Sequence, residues 1–108
     1  GEIKGDGAGG VSYVTSSDER RKQDIETLGG ALDRVLALRP VSYRGKGASR
    51  SGRKTPGLIA QEVMAAIPEA ASYDEDSDLY SLSYNKLIPH LIGAIQALND
   101  KIATLEAR

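Results

Sequence analysis

Residues 87–108 read LIPHLIGAIQALNDKIATLEAR, and the fold turns on how this stretch is read. Ile88, Leu91, Ile95, Leu98, Ile102 and Leu105 recur at alternating spacings of three and four, the a/d pattern of a helical seam. Before Gln96 the residues Leu87, Ile92 and Ala94 widen the apolar face enough for packing on the chain's own domain. Beyond Gln96 the stripe narrows to the a and d positions alone, as in a coiled coil. Ile at a with Leu at d nominally favours two strands, although three short heptads set the strand number weakly. Proline is tolerated only in a first turn, so Pro89 places the helix start within a few residues, giving a helix over about 86–108. His90 falls at a c position on the outward side, where a solvated imidazole is expected rather than a ligand.

A helix with such a seam wants partners, and the composition agrees. The chain has 108 residues, enough for one small domain. It carries no Phe, no Trp and five Tyr, so a core of Leu, Ile, Val and Ala is thin. Small domains of that kind lean on disulfides, metals or oligomerisation. With no Cys and one His, disulfides are excluded and a zinc site is disfavoured, which leaves oligomerisation. Fourteen basic against fifteen acidic residues give no overall electrostatic pull toward nucleic acid or a membrane surface. No apolar run approaches a transmembrane length.

Upstream, half of GEIKGDGAGG (1–10) is glycine, and the segment reads as a linker or the edge of something larger. VSYVTSS, with Val11, Tyr13 and Thr15 in alternation, reads as a short strand. Ile25, Leu28, Leu32, Val35 and Leu36 form a helical stripe whose firm part begins near Gly30 and ends before Pro40. Val41 and Tyr43 suggest a strand. Residues 45–57 are a loop by composition, and six basic residues and no acid lie between Arg39 and Lys54. That could be a phosphate footprint, but without interleaved aromatics nucleic acid is disfavoured against a solvated hairpin tip. Leu58 and Ile59 read as a short strand leading into a short helix through Val63, Met64 and Ile67, stopped by Pro68. YDEDSDLY (73–80) lacks the glycine and the distant glutamate of a calcium loop and reads as a polar turn.

SSDERRK (16–22) reads as a solvated charged face, or in one of two more specific ways. Ser16 with Glu19 three residues on is a capping box, the reading that pattern alone favours. The other is a nucleophile with its base: serine needs a partner to take its proton, and with no nearby His the candidate is Lys22. An unperturbed lysine titrates near 10.4, so a lysine base working near neutrality needs a depression of roughly 3 pH units, which burial and neighbouring cations supply. Residues five apart lie about 140° apart on a helix and on opposite faces of a strand, so Ser17 and Lys22 meet only across a bend.

SSDERRKQDIETL, ALDRVLALRPVSYR, GLIAQEV followed by a proline, and LSYNKLIPHLIGAIQAL, in that order from about Ser16 to Leu105, resemble the successive blocks of the peptidase S74 domain. The Gly29-Gly30 pair and the long basic loop have no match among these blocks. The family contains the C-terminal intramolecular chaperones of phage tail spikes, tail fibres and neck appendages, and a domain of myelin regulatory factor. The resemblance implies a small α+β domain (17–108) with short strands, two or three helices and a long C-terminal helix in a homotrimeric coiled coil, preceded by the end of a fibre or a linker (1–16). It implies a Ser-Lys dyad of Ser17 and Lys22, with Ser16, Asp18 and Arg20 in support and no cofactor or metal. Attack by Ser17 on the preceding carbonyl closes a five-membered ring, so the expected cut is Ser16–Ser17, with Ser17–Asp18 as the alternative if a neighbouring subunit supplies the nucleophile. The implied partners are two further copies and the upstream β-structured fibre of the same chain, in the host cytoplasm during assembly and in the virion tail afterwards. A module of the same fold that never cleaves is the second reading.

Overall fold

The computed structural model describes the backbone of residues 2–5, 11–14 and 16–108, and side chains from Ser16 onward. Among the described residues three α-helices and three two-stranded antiparallel ribbons make an α+β arrangement. Strand β1 (Glu2–Gly5) pairs with β2 (Val11–Val14) in the register Glu2 to Val14. The strand read from VSYV is present, but a hairpin arm stands where a glycine linker was expected, because Glu2, Ile3 and Lys4 leave one short glycine-free run for pairing. Thr15 and residues 6–10 lie outside the described residues.

Helix α1 (Ala31–Leu36) is shorter than its stripe. Gly30, at φ 72°, is a left-handed N-cap that starts the helix where expected. Asp24 is also left-handed, at φ 54°, and the segment between them takes no regular secondary structure, so Ile25 and Leu28 stand exposed instead of continuing the stripe. Strand β3 (Val41–Tyr43) pairs with β4 (Thr55–Gly57). The strand expected at Leu58-Ile59 therefore lies earlier, inside the stretch read as loop. A Cβ on Gly57 would lie 3.0 Å from the Tyr43 ring and 3.2 Å from the Tyr84 hydroxyl. That hydroxyl accepts the Leu58 amide at 3.2 Å, so both tyrosines close over the end of β4 and turn Leu58 inward.

Helix α2 (Ala60–Ala66) ends before Pro68 as its sequence requires. A single 3-10 turn (Pro68–Ala70) then leads into the hairpin of β5 (Ala71–Asp74) and β6 (Leu79–Leu82). The polar turn expected over 73–80 is confined to 75–78. Tyr73 and Tyr80 are cross-strand partners with ring centroids 4.8 Å apart, a stabilising pair that extends the ribbon. Among the described residues no ion pair joins this acidic turn to the basic loop.

The core is as thin as the composition implies. Val63, Ile67, Ala70 and Leu87 are buried, with Leu38, Leu58 and Leu82 packed around them. Helix α3 (Ile88–Glu106) starts one residue before Pro89, within the range read from the sequence. Its small residues face α1: a Cβ on Gly93 would lie 3.0 Å from that of Ala31, and Ala94 is buried. The six seam residues stay exposed, between 42% and 67% of their surface. Burial thus divides α3 into one stripe used by the domain and another that none of the described residues covers.

Candidate functional site

Asp18 builds the bend between Ser17 and Lys22. Its extended backbone (φ −66°, ψ 130°) caps a single 3-10 turn over Glu19–Arg21. One carboxylate oxygen accepts the Arg20 amide at 2.9 Å and its Nε at 3.1 Å, and the other accepts Arg20 Nη2 at 2.7 Å. The turn closes with the amides of Arg21 and Lys22 donating to the carbonyls of Asp18 and Glu19, each at 3.0 Å. Lys22 then leaves in extended conformation, and its ammonium returns to Ser17, Nζ donating to Oγ at 2.5 Å. The capping box read for Ser16 and Glu19 is not formed. An aspartate two residues before Arg20 reaches the amide and guanidinium together, which Ser16 cannot.

The Arg20 guanidinium, and after it the Arg20 amide, hold the Asp18 carboxyl below its ordinary range. Because the folded value lies below the unfolded one, this contribution to the turn is fully present only above the ordinary carboxylate value. The loss begins as pH falls through the ordinary value and is complete below the lowered folded value. Ser17 and Lys22 are both exposed in the single chain. The bond as it stands has the lysine donating, whereas catalysis needs the neutral amine to accept the serine proton, and that form is favoured by removal from water.

From Lys22 an irregular segment runs to Gly29-Gly30, where a second polar cluster ties it to the helices. Arg34 on α1 donates to the Gly29 carbonyl and, through Nε, to His90 Nδ1 at 3.3 Å. His90 Nε2 lies 2.8 Å from Glu69 Oε1. A guanidinium only donates, so Nδ1 accepts and the proton resides on Nε2, directed at the carboxylate. The Glu69 carboxyl is lowered chiefly by its own backbone amide, with desolvation opposing and the hydrogen bond from His90 and the Arg34 charge assisting. His90 was expected outward and solvated; it is 4% exposed. The apolar seam alone does not show which flank of α3 faces the domain. The stripe of small residues Gly93, Ala94 and Ala97, on the same side as His90, is the signal that would have shown it.

The family model of the peptidase S74 domain, described as a chaperone of endosialidase, matches residues 17–72, just over half of the chain. The chain belongs to the peptidase S74 family. The S74 match begins on Ser17 and includes Lys22, α1, both strands of the basic hairpin and α2, and it supports a chaperone role. The seam helix lies beyond the matched range. No curated protein matches the chain. Among the described residues no helix is long and apolar enough to cross a membrane.

Proposed function

We propose that this S74 domain is an intramolecular chaperone that brings three copies of an upstream fibre into register and then severs itself through Ser17 and Lys22. The observation that carries the proposal is the 2.5 Å contact between Lys22 Nζ and Ser17 Oγ, held by a capped turn. Neutral Lys22 takes the hydroxyl proton as Oγ attacks the Ser16 carbonyl carbon. The tetrahedral intermediate collapses with rupture of the C–N bond, the proton passes to the departing Ser17 nitrogen, and an ester joins Ser16 to Ser17 Oγ. Water hydrolyses that ester, leaving a carboxylate at Ser16 and a free amine at Ser17. Backbone amides are the donors for the oxyanion.

Exposure of the dyad in the isolated chain supports an order of events. A lysine in water is a poor base near neutrality, and burial by neighbouring subunits would supply the missing desolvation. Cleavage then follows assembly. Association through Ile88, Leu91, Ile95, Leu98, Ile102 and Leu105 raises the effective concentration of the upstream segments before their own contacts form. Afterwards the fibre is kept by a high unfolding barrier. The proposed setting is a phage tail fibre or tailspike, assembled in the host cytoplasm and carried in the virion tail. In the alternative, the same assembly module stays attached, and the dyad contact is then a structural hydrogen bond.

The test is the intact mass of the chain expressed with a longer upstream segment, beside Ser17→Ala and Lys22→Ala. Two fragments meeting at Ser16–Ser17, absent from both variants, are expected. One uncut mass in all three folded proteins would refute the protease and leave the non-cleaving module.

A further inference from the structure

Beside the seam, the first turn of α3 opens onto an apolar pocket of about 350 Å³, lined by Val35, Leu38, Leu58, Tyr84, Leu87 and Leu91 among others. Among the described residues no side chain fills it. Its position relative to the seam identifies an occupant. With Ile88 at a and Leu91 at d, Leu87 is a g residue and Ile92 an e residue, and the helical backbone reaches back to Leu87 (φ −80°, ψ −27°). In parallel coiled coils each g side chain meets the e' side chain five residues further along the neighbouring helix, on the flank of the a/d core. Five residues beyond Leu87 is Ile92, a large apolar side chain outside the seam that is 51% exposed.

Leu87 is 3% exposed, so a partner reaches it only through the pocket. We infer that the pocket is the receptor for Ile92 of a second copy, so that each subunit inserts this side chain into its neighbour as α3 associates in parallel. The inference rests on the reading that α3 self-associates through its a/d stripe. It adds a directional contact between helix and domain that a bare coiled coil lacks. The same register gives two further pairs, Ala94 with Asn99 and Lys101 with Glu106, the last of opposite charge. An antiparallel arrangement juxtaposes g with g' and e with e', which separates Lys101 from Glu106 and leaves the pocket without Ile92. The parallel orientation brings three upstream chains out on one side, as alignment of a fibre requires. The relation holds for two strands as for three.

The chain has no cysteine, so single cysteines report cleanly. Leu58→Cys and Ile92→Cys proteins, co-expressed with distinguishable tags and oxidised mildly, should form the mixed disulfide in preference to either homotypic one. Independently, Ile92→Ser should weaken association by roughly tenfold or more in sedimentation equilibrium, with helix content unchanged, because an isoleucine is withdrawn from each contact. An associated wild type with no mixed disulfide and no effect of Ile92→Ser overturns the pocket assignment and leaves self-association standing. A wild type that is monomeric at every concentration overturns both.

Discussion

Replacing His90 tests the interior of the domain, because the same residue read as a solvated c position would be indifferent to change. In the structure it is buried and joins three elements: Arg34 of α1, Glu69 of the turn after α2, and α3 itself. His90→Ala removes the acceptor for Arg34 Nε, and orphaning a bonded polar group costs about 1–3 kcal/mol. Loss of the packed ring adds a cavity contribution. Arg34 is only half-buried and partly rehydrates, so the total should be about 2–4 kcal/mol. Against the roughly 5–15 kcal/mol that holds a domain together, that is a large fraction. His90→Asn places an amide oxygen near Nδ1, keeps the Arg34 bond and loses only the link to Glu69, whose exposed carboxylate water can serve. Its cost should be about 1 kcal/mol. The assay is urea unfolding at one fixed protein concentration, since association would make the midpoint concentration-dependent. If both variants unfold within about 0.5 kcal/mol of wild type, the three-way contact contributes nothing and the outward reading of His90 is restored.

Two further perturbations probe other links. Gly93→Ala pits a helix-propensity gain of about 1 kcal/mol against overpacking on Ala31 at 3.0 Å, which typically costs about 1–3 kcal/mol. Net destabilisation is expected, with recovery on adding Ala31→Gly, whereas a stabilised single variant would mean that α1 and α3 can separate freely. For the bend, the Arg20 amide resonance followed by NMR should titrate with a midpoint below the ordinary aspartate value of 3.8, and a midpoint at or above it would contradict the Asp18 cap.

Much of the architecture can be read from the residues because it depends on local rules. Pro68 stops α2, Gly30 supplies the left-handed start of α1, and Pro89 marks the first turn of α3. The bend between Ser17 and Lys22 was legible only as a condition: periodicity shows that a turn is needed, while the Asp18–Arg20 pair that makes it competes with an equally good capping-box pattern. The hairpin over 71–82 was hidden because DEDSD suppresses the strand signal, and only the cross-strand meeting of Tyr73 and Tyr80 reveals the register. Ile25 and Leu28 fit a helical stripe in one dimension, yet a left-handed Asp24 takes them out of it. His90 was misplaced for a different reason. Its burial depends on which flank of α3 receives α1, and that is a property of two elements far apart in the chain.

The central claim is that a dyad built within one chain becomes a protease only when copies assemble. The most direct measurement is the rate of self-cleavage of the chain carrying its upstream segment, followed by intact mass across a range of protein concentrations, with Ser17→Ala as the blank and Ile95→Glu to break the seam. The account predicts a rate that rises with concentration to a plateau, falls by at least an order of magnitude in the seam variant, and vanishes in the blank. A rate independent of concentration and unchanged by Ile95→Glu would show that the dyad acts in the lone chain and that assembly does not govern the cut.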